Sequence, residues 1–262
     1  MKNLYFDLMT ELNSIDEVYK SALYGALHKE ARINKLLKKF GSKYADRRLS
    51  SKDLKKAVSE IEAIDSLEKS SGISIEFKNK EISLLKKIIR ENLKNIKKIP
   101  KLSREQTIIS LCVVFEGFIS DLLRTIFNSN IDTLKSTRST LKEEDVIDSI
   151  KKGDTLEKLK EYKIRDIMYG SVDNWIGYFQ KQLRFKIDIN INIVELFLVR
   201  NCLIHNKKIV NSELENKVKK KRYISGKEIN ITKNDYNRYR DEIKKYSKLL
   251  WEEYIAKFSI NQ

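Results

Sequence analysis

Arg200, Asn201 and His205 stand in the stretch ELFLVRNCLIHNKKIV, residues 195–210, whose first ten positions are otherwise almost wholly apolar. With those three and Glu195 set aside, only Val, Leu, Phe, Ile and Cys remain between Ile193 and Ile204. A segment that apolar on every side predicts a buried helix. Burying an arginine without a partner is expensive, so Arg200 needs a reason to be there. Asn201 and His205, four residues apart, share a helix face, and Arg200 lies roughly 140° round an ideal helix from His205. A cation that stays charged is thus set near an imidazole, a group able to give or take a proton close to neutral pH. On a phosphodiester, the imidazole would move protons and the guanidinium would stabilise the phosphorane charge. The same residues also suit an ordinary helix end. A C-terminal histidine is favoured by the helix dipole, and Asn206 is a reasonable stop.

Most other chemistries have no residues to support them. His28 and His205 are the two histidines, and no metalloprotease helix, P-loop, dinucleotide-binding glycine pattern or nucleophile elbow occurs. His28, between Leu27 and Lys29, reads as an ordinary helical residue. Cys112 and Cys202 each lie in apolar helical stretches, without zinc or redox spacing, and read as reduced core residues of a cytoplasmic protein. Asp7 and Glu11 near the start argue against a signal peptide. The longest apolar run, residues 108–115, is too short to span a bilayer, so no membrane partner is expected. The balance of 53 Lys and Arg against 37 Asp and Glu, a net +16, favours a polyanion partner, and nucleic acid is the commonest.

The elements that would position these residues are helical. One proline, eight glycines and 34% charged residues make an all-α composition with room for one small hairpin. Apolar spacing predicts a helix from Leu4 to about Phe40, ended by Gly41, and a second from Ser51 to Lys69. "ISIEF", residues 73–77, alternates like a short strand. Residues 78–101 hold nine basic and two acidic side chains. Among them Lys87, Arg90, Lys94, Lys97 and Lys101 form a helical stripe, opposite Ile82, Leu85, Ile89, Leu93 and Ile96. That rail is either a nucleic-acid surface or a solvated face.

Pro100 should break the chain, with Ser103 and Gln106 capping a new apolar helix to about Phe127, where Gly117 would admit a neighbouring helix. Further helices are expected at 139–152 and 156–169, and Trp175, Tyr178 and Phe179 should anchor the next segment. Asn192 and Glu195 read as a capping box for the Arg200 helix. Ser212 to Glu215 reads as a short helix leading into the basic cluster Lys217 to Arg222. "RYISGKEINI" reads as a hairpin turning at Ser225-Gly226, and Thr232 and Asp235 open the last helix. The division expected is an N-terminal helical section, 1–100, with no assigned function, and a larger helical domain, 101–262.

"VRNCLIHN" resembles the R-x4-6-H motif of HEPN domains (higher eukaryotes and prokaryotes nucleotide-binding), with Arg200, Asn201 and His205 as the matching residues. The surroundings are similar too. An earlier apolar helix carries "FEGFISDLL", and a basic segment, a hairpin and a closing helix follow the motif. The resemblance covers about residues 103–258. It implies an antiparallel helical bundle that dimerises and acts as a metal-independent endoribonuclease, needing no cofactor, with Arg and His from two domains meeting at the dimer interface. Arg200 and His205 would then be catalytic, with Asn201 orienting. Glu116 stands where some relatives carry an acid that holds the motif arginine. Members often serve as toxins or in antiphage defence, which implies an antitoxin or other regulatory partner. Some HEPN toxins carry a modified Tyr two residues after the His; this chain has Lys207.

The nucleic-acid contacts expected are Lys87, Arg90, Lys94 and Lys97, together with Lys219, Lys220, Lys221 and Arg222. Two other readings stay open: a non-catalytic RNA-binding or dimerisation module of the same fold, and a helical scaffold for an acidic protein.

Overall fold

Helix α1 spans Leu4–Lys43 and passes through Gly41, so that glycine does not end it. The computed structural model describes residues 4–43, 79–134 and 153–258. The helices expected at 51–69 and 139–152, and the strand at 73–77, lie outside the described residues. Helix α2 spans Asn79–Ser129 and contains Pro100. The expected break at Pro100 is therefore absent. A proline inside a helix costs about 3 kcal/mol. Beyond it the helix buries Ile108, Leu111, Cys112, Phe115, Ile119, Leu122, Leu123, Ile126 and Phe127. At roughly 1.5–3 kcal/mol for each large apolar side chain, that burial outweighs the proline. Ser103 and Gln106 lie inside the helix, where the Gln106 carbonyl accepts from Ser110, so they form no capping box.

Segment Lys94–Ser129 is long and apolar enough to cross a membrane by length and composition, and half of its most apolar window is buried within the protein. The run of residues 108–115, read as too short to span a bilayer, is part of this longer segment because the helix continues past both of its ends. Gly117 admits no close neighbour: a Cβ built there would meet nothing within 4 Å.

A 3₁₀ turn at Ile131–Leu134 follows α2. Then come α3 (Thr155–Tyr169), α4 (Val172–Lys181), α5 (Ile191–His205), α6 (Ser212–Val218) and α7 (Lys233–Phe258). The described residues are predominantly helical, and the all-α expectation holds for them. No strand occurs among them; one antiparallel bridge joins Ile209 to Glu228. The chain does turn at Ser225-Gly226, where Lys227 N donates to the Ile224 carbonyl at 3.0 Å. The segment after the turn pairs instead with 208–210, through Val210 N to Lys227 O at 2.9 Å and Ile229 N to Lys208 O at 2.8 Å.

The chain divides into two compact units: Val18–Ser103, and Met1–Glu17 with Arg104–Gln262. In the first, Tyr19, Ala26 and Ile96 are buried, and His28 stands exposed beside the Tyr24 ring. In the second, α5 packs against α4, α6 and α7. Its core holds Phe115, Trp175, Phe197 and Tyr246, with Trp175 edge-on to Phe197 at 5.2 Å between centroids. Leu8 and Leu12 from the chain's start are buried in the same unit. Nearby, Asp16 accepts from Tyr236 Oη at 2.8 Å and from Arg240 at 2.9 Å.

One helix start differs from the expected capping box. Asn190, not Asn192, caps α5, its side chain accepting from the backbone N–H groups of Asn192 and Ile193. Asn211 caps α6, accepting from Leu214 N at 2.9 Å. At α7 the expected start is present as a reciprocal pair. Asp235 Oδ2 accepts from Thr232 N at 2.9 Å, and Thr232 Oγ1 accepts from Asp235 N at 3.2 Å.

Candidate functional site

Helix α5 presents the three motif residues from one buried rod. Residues Ile193 to Val199 are buried, Arg200 and Asn201 are half-buried, and His205 is exposed as the last residue of the helix. Packing on α4, α6 and α7 fixes the rod, so the motif side chains leave it where the packing ends.

The Arg200 guanidinium has two partners. Nη1 donates to Asn201 Oδ1 at 3.1 Å, and Nη2 lies 3.7 Å from Glu116 Oε1 on α2. Arg200 Nε is buried without a hydrogen-bond partner. The side chains of Arg200 and Glu116 keep 24% and 29% of their exposure, so the pair borders solvent and is not sealed inside the core. Burial pushes the Glu116 carboxyl above its usual value, and the Arg200 charge only partly offsets this. Burial likewise pushes the neighbouring Cys112 thiol well up, against the pull of Arg200. Both cysteines are buried and free, as their apolar settings predict.

Arg200, Asn201 and Glu116 open onto a cavity of about 260 Å³. Tyr169, Trp175, Asp173 and Lys217 also line it, whereas His205 does not. Gly170 lies at its wall, where a Cβ would come within 2.9 Å of Asn174 Nδ2. One chain thus gathers Arg200, Asn201 and Glu116 and leaves His205 outside their cavity.

The basic residues divide in an unexpected way. Lys219 and Lys221 are exposed, while Lys220 and Arg222 turn inward to Glu195, which is 0% exposed. Glu195 Oε1 accepts from Arg222 at 2.8 Å, Arg238 at 3.0 Å and Tyr223 Oη at 2.7 Å; Oε2 accepts from Arg238 at 2.8 Å and from Lys220 at 2.5 Å. Asp235 holds the other side of Arg222 and lies 3.5 Å from Arg238. Burial alone would raise the Glu195 carboxyl, but the donors from Arg238, Lys220, Tyr223 and Arg222 outweigh it and hold it far below the usual range. Glu195 is therefore the counter-ion of the basic segment rather than part of a cap. The signal was an acid in the middle of "IVELFLV", which demands buried partners as firmly as Arg200 does.

On α2, Lys94 and Lys97 are exposed, with Lys97 4.0 Å from Glu30. Lys87 and Arg90 lie on the same helix, and their side chains are outside the described residues. Among the described residues, no three His, Cys, Asp or Glu side chains gather as a metal-ligand set. Sequence reading missed Tyr169 and Asp173 and saw Lys217 only as the start of a basic cluster; they show no shared spacing signal because three helices, α3, α4 and α6, bring them together. No family model, curated protein or solved structure matches the chain.

Proposed function

We propose that the chain is a metal-independent endoribonuclease of HEPN type, working in the cytoplasm as a homodimer. In this reading the helices of the larger unit form a HEPN-type antiparallel bundle, with the turn at 225–226, bridged to 208–210, in place of a separate hairpin. The observation that carries the proposal is the Arg200 guanidinium, held by Asn201 and Glu116 at a solvent-bordering wall, on the helix that ends in an exposed His205.

An RNA cut by transesterification needs three things. A base removes the 2′-OH proton, the 2′-oxygen forms a bond to phosphorus, and the P–O5′ bond breaks as an acid protonates the leaving oxygen. Arg200 would balance the charge on the non-bridging oxygens. One chain contributes one suitable imidazole, and a two-fold axis brings a second to the same phosphate. His205, outward-facing at a helix end, is available for that meeting. A role as a toxin or in antiphage defence, held in check by an antitoxin-like protein, follows from the resemblance.

The second reading is a non-catalytic RNA-binding or dimerisation module. What favours it is that His205 does not line the Arg200 cavity. One assay separates the two: generic RNA with wild type and His205→Ala, followed by mass spectrometry of the fragments. The nuclease should leave 2′,3′-cyclic phosphate and 5′-OH ends, ignore EDTA, and fail on DNA or on a 2′-deoxy scissile nucleotide. A 5′-phosphate product, or loss of cutting with chelator, would refute the chemistry.

A further inference from the structure

The cavity beside Arg200 has more construction than phosphate chemistry requires. Three carboxylates (Glu116, Asp173 and Glu213) face two cations, Arg200 and Lys217, around its wall. Lys217 is itself committed to Asp173 at 3.0 Å and Glu213 at 3.4 Å. With Lys217 committed to two of those carboxylates, Arg200 is the cation left for a phosphate at the rim, and the acid-rich remainder of the wall suits a neutral group carrying N–H donors.

Two residues of the wall also carry donor atoms that no protein acceptor satisfies. Trp175 is 4% exposed, and its Nε1 is buried without a hydrogen-bond partner; Arg200 Nε is likewise unpartnered. An orphaned buried donor is costly, and a ligand acceptor would satisfy it. At the same cavity stands Tyr169, 93% exposed, a large ring with almost no protein cover. An uncovered aromatic next to paired donors and acceptors is the equipment for stacking and reading one base. About 260 Å³ lies at the small end for ligand pockets, so it takes one ring system and not a run of nucleotides.

We propose that this cavity is a nucleobase subsite: it takes one unpaired RNA base, with its phosphate left outside near Arg200. The base stacks on Tyr169 and donates to the wall carboxylates, and its entry shifts the wall far enough for Trp175 Nε1, sealed from solvent in this structure, to donate to it. The choice of RNA as ligand rests on the nuclease reading. The subsite adds to that reading a preference for the base beside the cut.

The test uses the full chain and the four free nucleosides as probes, with inorganic phosphate as a control. Trp175 and Trp251 are the two tryptophans, so the Trp175 indole N–H signal is assigned by its loss in Trp175→Phe. At least one nucleoside should shift that signal, phosphate should not, and Tyr169→Ala should weaken the nucleoside about tenfold. Tyr169 is too exposed for its removal to unfold the protein. If no nucleoside moves the indole, or phosphate moves it equally, the subsite is refuted. Cleavage of RNAs differing only in the base beside the cut is an independent readout. Cutting without base preference, and with no nucleoside bound, removes the subsite and leaves the nuclease. Nucleoside binding without any RNA cutting keeps the subsite and removes the nuclease.

Discussion

Glu195 and Arg238 meet across α5 and α7 in a two-point contact, Nη1 to Oε2 at 2.8 Å and Nη2 to Oε1 at 3.0 Å. Parallel bonds of this kind fix both orientation and distance. Because Lys220 and Arg222 share the same carboxylate, a single side chain on the motif helix organises the basic segment and the final helix together.

Removing that carboxylate should be severe. Glu195→Ala should cost about 3 kcal/mol, the low end for a broken buried ion pair, since the three cations keep roughly a third of their exposure and can be partly rehydrated. The Glu195 carboxyl titrates lower in the folded chain than when unfolded. Its stabilisation is therefore complete above the unfolded value and fades as pH falls below it. Denaturant melts of wild type and Glu195→Ala from pH 7 to pH 3 should converge on the acid side; a constant gap would contradict this.

Glu116 carries the opposite sign. Its folded value lies above the ordinary 4.5, so the ionised form costs stability at neutral pH. Glu116→Gln should leave the melting temperature at pH 7 unchanged or slightly higher, with the difference vanishing as pH falls through the raised value. Cleavage should still drop about tenfold, because Arg200 loses the charge that holds it. A variant that melts early and cuts normally would reverse both assignments.

His205→Ala should reduce cutting at least about 100-fold without unfolding the chain, since the imidazole is exposed. Arg200→Ala should cost about as much, and the double variant little more than either alone, because both act on one transition state. Circular dichroism confirms folding, and a fluorogenic RNA reads the rates. Additive losses would separate the two residues functionally.

Light scattering at micromolar concentration should give twice the chain mass. A strict monomer that still cuts RNA would defeat the composite site.

The basic segment should behave as two pairs. Neutralising Lys219 and Lys221 should weaken binding of single-stranded RNA and reduce the slope of log affinity against log salt by about 1.4, with stability unchanged. Neutralising Lys220 or Arg222 should instead lower the melting temperature, since both serve Glu195. Equal effects from both pairs in both measurements would count against the division.

How far the sequence could be read varies with the distance over which its signals act. Helical periodicity is local, so α1, the Arg200 helix and the Thr232–Asp235 start were legible from spacing alone. Pro100 misled because a local penalty was outweighed by burial further along α2, which only the packed chain reveals. The inward turn of Lys220 and Arg222 was hidden for the same reason: a run of lysines looks alike whether it faces water or a buried carboxylate. Arg200 and Asn201 announced themselves by being polar in apolar company. Tyr169 and Trp175 did not, since an aromatic residue is unremarkable in a helix until its neighbours leave a ring uncovered or an indole N–H unmatched.

The larger unit joins residues 1–17 to residues 104–262, with Asp16 bonded to Tyr236 and Arg240 more than two hundred positions away, and with 18–103 set between them in sequence. The order of synthesis follows. The opening helix leaves the ribosome long before Tyr236 and Arg240 exist, and Asp16 gains these two partners only once they have been translated. Arg200 and His205 are thus made on a platform whose closing piece is the last helix. A transcript cut short before α7 would yield a chain with the whole motif but without Arg238, the two-point partner of Glu195 on that helix.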